Sequence, residues 1–406
     1  MKKILALLMS IICIISLAAC SGQGKTEDNT AETVSVEGAD AYKIGVIVYN
    51  NTDEEVIAFQ RYLEDYIAKV FPGISFLYSD SITTEEEELA FIKEACEQGA
   101  DGFLSFLSQD LKQEVELCSK YKAYYILASG TVSDEAFHAV ADNPYFIGEV
   151  GPGTEMEYDT GADMAEYLYK KQYGNEYFIL SGGSGMGNEM HLQRTRGILD
   201  KLQELYGVNL EQTSEEIAMS ATPVHMSAGE LTVCVTPGYI SRDEFLKTAS
   251  QEYEKDQFDI VLSVLPIADM ADLVKESHLG LVDSYNERNL QLFNKKQLNY
   301  VAGKYSSIIG PSFAAMYNAV TGYAEDFRDN GKAFRLTQGF WYSSEPDDFV
   351  EKYSLANSVV TNAYNYEDLG KVCKVYNPEA TLEDLKELTA AYSFEDALQR
   401  RGESEN

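Results

Sequence analysis

The chain has 406 residues, enough for two ordinary domains, and carries 32 Lys+Arg against 66 Asp+Glu for a net charge of −34. Such a field repels phosphate backbones and anionic headgroups, which excludes general nucleic-acid binding. A content of 45% hydrophobic and 12% aromatic residues excludes a disordered acidic chain. Beyond the first twenty residues no run approaches the ~18 apolar positions of a membrane span.

The N-terminus predicts export. Lys2 and Lys3 precede an apolar stretch over residues 4–19, which ends in Leu17-Ala18-Ala19-Cys20. A cationic start, an apolar core and small residues at the cut define a signal peptide over 1–19. Leu-Ala-Ala-Cys resembles the bacterial lipobox, and that resemblance implies a diacylated Cys20 heading the mature chain. Residues 20–40 are small, polar and acidic, without periodicity, and read as a flexible tether. The expected location is the cell membrane, facing outside the cytoplasm and held there by lipid alone.

The body alternates strand and helix. Residues 43–49 (KIGVIVY) are an apolar run of buried-strand length, followed by a helix with Val56, Phe59, Leu63, Ile67 and Val70 on one face. Strands over 74–78, 102–107 and 124–128 alternate with helices over 85–98 and 110–121. Glu85 to Glu88 form an acidic run that a solvated helix start explains. A second series follows, with helices at 161–173 and around Leu192, Leu199, Leu202 and Tyr206. Its strands fall at 177–181, 231–236, 259–265 and 279–283. Phe313, Met316, Val320, Ala324 and Phe327 stripe a long late helix; residues 339–342 read as a late strand and 382–391 as a surface helix. This order predicts an α/β fold of two doubly wound parallel-sheet lobes.

Few motifs suggest covalent chemistry. Cys96 and Cys118 lie on apolar helix stripes and read as buried thiols, not a disulfide framework. The four His are scattered, and no CxxC, HExxH or EF-hand spacing occurs, so neither a metal nor a cofactor is expected. The glycine loop at 182–187 lacks the third glycine of GxGxxG, with Asn188 in its place, and no P-loop Lys-Ser/Thr follows. It reads as a tight strand-to-helix connection.

KIGVIVYNN, YFILSGGSGMGNEMHLQRTRGILDKL with its Arg-x-x-Gly, LGLVDSYNE and NYVAGKYSSIIGPSFAAM together resemble the type I periplasmic-binding-protein superfamily, nearest its ribose- and galactose-binding members. The resemblance spans about residues 41–335. It implies two lobes joined by three crossovers: 41–149 plus about 305–335 in the N-terminal lobe, 150–304 plus about 336–400 in the C-terminal one. It also implies a ligand cleft at the carboxyl ends of the strands, closed by rigid-body motion.

The resemblance places Asn51 after the first strand as a polar ligand contact, where turn chemistry is an equal reading. Arg194 matches a cleft arginine, whose rigid fork suits paired hydroxyls or a carboxylate. Asp283 ends a strand as a ligand-accepting carboxylate, with Tyr285 covering the ligand. Lys304 stands in a hinge where an amide is usual, and Ser108 and Ser129 end strands as small polar candidates. Asp53 and Glu54 stand where sugar binders often carry aromatics, which suits a cationic or hydroxyl-rich ligand instead. Trp341, the single Trp, reads as packing.

The leading expectation is a monomeric, lipid-anchored solute-binding protein delivering a small polar ligand to an ABC permease. The same fold would serve a receptor for a membrane histidine kinase or chemoreceptor. A surface hydrolase fits less well, since no GxSxG motif or metal-ligand spacing occurs. No catalytic residue is assigned.

Overall fold

The computed structural model describes residues 41–182, 188–237, 242–267, 270–358 and 362–404. The signal peptide, Cys20, the tether and the loop at 183–187 lie outside them. No helix of the described residues is long and apolar enough to cross a membrane.

Two sheets organise the chain. The first contains β1 (Tyr42–Val48), β2 (Ile74–Ser81), β3 (Gly102–Ser105), β4 (Tyr124–Ala128) and β5 (Phe146–Gly151), joined by β12 (Phe334–Thr337). Its order is β12-β5-β4-β3-β1-β2, parallel throughout. The second contains β6 (Glu176–Ser181), β7 (Val224–Ala228), β8 (Leu231–Pro237), β9 (Ile260–Ser263), β10 (His278–Ser284), β11 (Leu298–Lys304) and β13 (Trp341–Ser343). Five of these run parallel, with β7 and β13 antiparallel at the two edges of the order β13-β11-β10-β9-β6-β8-β7. The inner strands are covered on both faces, which is why Ile44, Val46, Ile47 and Val48 form an unbroken apolar run instead of an alternating one.

The chain crosses between the sheets three times. After β5 it enters helix Gly153–Lys170, which packs on β9, β10 and β11. After β11, helix Gly310–Asn318 packs on β3, β4 and β5. After β12 the chain returns as β13 beside β11.

Several elements depart from the sequence reading. Strands β5, β7, β11 and β12 and helix Arg242–Tyr253 were not expected. The late stripe is not one long helix: regular α-structure ends at Asn318, and Gly322 at φ 96° breaks the turn that follows. The acidic run is solvated only in part, because Glu88 is fully buried. The largest departure concerns residues 336–400, expected wholly in the second lobe. Helix Pro346–Ala356 does pack there, on β13 and helix Glu287–Asn294. Helices Tyr366–Lys371 and Leu382–Ala390 instead cover helix Gly310–Asn318 of the first. Every residue of helix Gly310–Asn318 is buried, so its outer face needs a cover, and Tyr366 and Tyr376 pack there on Phe71.

Candidate functional site

The carboxyl end of β1 leads through Tyr49 to Asp53, whose side chain caps helix Glu54–Arg61 by accepting from the Glu55 amide. That cap turns Glu55 inward, where its Oε1 accepts from Tyr49 Oη at 3.3 Å and from Lys304 Nζ at 3.0 Å. Lys304 is the last residue of β11, at the second crossover, and also donates to the Ser129 carbonyl at 3.0 Å. Ser129 follows β4 at φ 59°, a left-handed turn. The ion pair is buried on both sides and joins a first-lobe helix to β11 of the second sheet.

Asp283 lies one residue before the end of β10 and is buried. It accepts from the Ser284 amide (2.7 Å) and hydroxyl (3.3 Å), Asn286 Nδ2 (3.3 Å) and Asn289 Nδ2 (2.9 Å). Those donors favour the anion, yet burial, reinforced by the charges of Asp53 and Glu55, pushes Asp283 up to about 7. Burial, then the charge of Glu55, pushes Asp53 up to about 6. Burial and the Asp53 carboxylate raise the Tyr49 hydroxyl well above its ordinary value. Three carboxylates from two lobes thus lie within electrostatic reach of one another, and Lys304 pairs with one of them, Glu55.

Helix Glu189–Tyr206 brings His191 and Arg194 to the neighbourhood. Arg194 is buried in a two-pronged pair with Glu157 (2.5 and 3.0 Å), and its third arm donates to the Val264 carbonyl at 2.9 Å. His191 Nδ1 is shielded and without a partner; burial, then the positive charges of Arg194 and Lys304, push the ring down to about 3, so it stands neutral. Only glycine fits at 182, since a Cβ there would lie 2.1 Å from His191 Nδ1. Ser129 Oγ and Gln338 Oε1 are likewise buried without partners. Such groups need a ligand or water to satisfy them.

Of the expected residues, the structure brings Ser129, Asp283 and Lys304 into this cluster. Arg194 borders it, but its fork is already engaged by Glu157. Asn51 is exposed, and its Oδ1 accepts from Ser81 Oγ at 2.6 Å, which ties the loop after β1 to the end of β2. Ser108 donates to Glu114 Oε2 at 2.8 Å, in a separate buried cluster with Glu88 and Tyr125. There burial and the Glu114 carboxylate push Glu88 up to about 10. Tyr285 does not cover the cluster: its hydroxyl meets Ser343 Oγ at 2.9 Å and its ring stacks on Phe349. Trp341 packs on Tyr305. Tyr49, Glu55, Glu157 and His191 escaped the sequence reading. The one signal for Glu55 was the acidic pair in front of it.

No protein-family model matches the chain, and no curated protein matches it. Solved structures do. A galactofuranose-binding protein superposes with a TM-score of 0.58 at 10% identity, covering 78% of this chain and 98% of its own. An ABC-transporter solute-binding protein from Bacillus halodurans with bound myo-inositol gives 0.57 at 15% identity, covering 78% and 99%. The arabinose-transporter binding protein from a Shewanella species, bound to L-arabinofuranose, gives 0.53 at 11%, covering 77% and 94%. Identities this low speak for architecture alone, and the chain has the type I periplasmic-binding-protein fold.

Proposed function

We infer that the protein is an extracytoplasmic, lipid-anchored solute receptor that captures a small polar ligand between its lobes for an ABC importer. The observation that carries this is the convergence of Asp53 and Glu55 from one lobe, Asp283 from the other and Lys304 from a hinge, at the carboxyl ends of the strands. Open α/β sheets bind ligands at that end. The unpartnered Ser129 Oγ and His191 Nδ1 give a ligand further groups to meet.

Negative charge outweighs positive here: three carboxylates stand against one ammonium. That balance suits a ligand rich in hydroxyl or ammonium donors. The named neighbours are binding proteins for furanose sugars and myo-inositol, which supports binding without catalysis. The Leu-Ala-Ala-Cys sequence supports the anchor at Cys20, and the ABC-transporter binding proteins among the neighbours support the importer as partner.

A thermal-shift screen of cyclitols, furanose sugars and amino sugars tests the reading, with native mass spectrometry of the purified chain. A true ligand at a hundredfold excess over Kd stabilises by about 2.7 kcal/mol, and Asp283→Ala should weaken it by about tenfold or more. No shift across the panel, with no small molecule copurifying, overturns the reading.

A further inference from the structure

A second constellation lies at the β7 edge of the second sheet, apart from the Asp283 cluster. Strands β7 and β8 form a hairpin in which His225 stands directly opposite Cys234. That pairing fixes imidazole and thiol side by side, with Cys234 Sγ 3.5 Å from His225 Nε2. Helix Arg242–Tyr253 packs on β8 and delivers Glu252, whose Oε2 lies 2.8 Å from the same Nε2. The three candidate ligand atoms lie within 4.8 Å of one another.

We propose that His225, Cys234 and Glu252 form a site for a divalent cation of the zinc class, with a fourth position open to water. Tetrahedral zinc, with bonds of about 2.0–2.3 Å, sets its ligand atoms roughly 3.3–3.8 Å apart, close to the separations already present. Thiolate, imidazole and carboxylate together select a borderline-soft ion over calcium or magnesium. As the metal–sulfur bond forms, the Cys234 S–H proton leaves to solvent, and thiolate and carboxylate then neutralise the ion.

A second observation points to the same place. Thr236 lies two residues beyond Cys234 on the same strand face, and its buried hydroxyl stands within hydrogen-bonding reach of that thiol. A metal-bound thiolate accepts such a hydroxyl, the usual outer support of a metal ligand. Lys255 holds both Glu252 oxygens at 2.6 Å and so orients that carboxylate from outside. An entry path exists, because the His225 side chain is 43% exposed and borders an open groove with Glu216, Thr222, Met226 and Ser227. The sequence hid the site because its ligands come from two strands and a helix, with no local spacing to see.

Cobalt(II) is the probe, titrated into the chelator-treated full chain. One equivalent should produce a thiolate-to-cobalt charge-transfer band, and one equivalent of zinc should abolish it. Cys234→Ser should remove the band while leaving the circular dichroism unchanged, and His225→Ala should weaken cobalt binding by about tenfold or more. A wild-type chain without the band, or a band unchanged in Cys234→Ser, overturns the site. Neither readout depends on the solute proposed for the interlobe cluster.

Discussion

Asp283 and Asp53 hold carboxyls that titrate far from where an unfolded chain titrates them. Burial and the charge of Asp53 put Asp283 at about 7, and burial and the charge of Glu55 put Asp53 at about 6. A carboxyl with a raised native pKa binds more protons folded than unfolded. The stability it confers is therefore complete below its unfolded pKa and is lost as pH rises through the native one. For Asp283 the window runs from about pH 4 to about pH 7, and the loss is on the order of 4 kcal/mol. Glu149, buried beside Arg335, also stands at about 7 and adds to the same slope. The diagnostic is thus the difference between wild type and Asp283→Asn in urea unfolding across that window. The variant should lose stability less steeply with pH, even though its amide, set against Asn289 Nδ2, lowers stability in acid. Parallel slopes would remove Asp283 from the cluster. At this scale sequence legibility was uneven. Asp283 and Lys304 were readable because strand ends fix side chains at a sheet's rim. Glu55 was not, because an acid in a first helical turn ordinarily faces water, and nothing local says that Lys304 lies opposite.

Between elements, the closest packing joins helix Gly153–Lys170 to helix Glu189–Tyr206. Gly161 and Gly197 permit it: a Cβ at 161 would lie 2.0 Å from the Arg194 carbonyl, and one at 197 would lie 2.0 Å from the Tyr158 carbonyl. The same crossing seats Arg194 on Glu157. The Arg-x-x-Gly sequence is therefore one packing unit, its arginine an ion pair and its glycine the space that lets the pair form. Gly197→Ala should destabilise the protein by about 2–3 kcal/mol, because a backbone carbonyl must move. Gly370→Ala, with nothing within 4 Å of its Cβ, should be neutral or slightly stabilising. Equal denaturation midpoints for the two variants would refute this account of the crossing. The apolar runs of β1, β6 and β9 were legible as strands because burial on both faces leaves no polar residue to interrupt them. Strand β5 was not, since Gly148, Glu149 and Gly151 break its run. Gly148 has a backbone reason, for its φ is 157° and a Cβ would lie 2.2 Å from the Phe334 carbonyl of β12.

Over the whole molecule, the alternation of strands and helices made two sheets readable, while the route of the last sixty residues was not. An amphipathic helix announces that one face is buried and says nothing of which lobe buries it. The outcome places aromatic residues from three parts of the chain at the crossovers. Tyr305, just past β11, stacks on Trp341 of β13 with ring centroids 3.9 Å apart. The Tyr392 carbonyl accepts from both, at 3.3 Å from Tyr305 Oη and 2.8 Å from Trp341 Nε1, and Phe394 sets its edge on the indole. A lobe rotation turns on the backbone at these crossovers, so the stack sits where closure must alter geometry. Trp341 is the only indole in the chain, which makes its emission a single-site reporter. Ligand saturation should shift the intensity or wavelength of that emission. Trp341→Phe should keep the ligand-induced rise in melting temperature while losing the optical signal. Emission that stays constant while the melting temperature rises would mean that the ligand is held without hinge rotation, in a site already shut.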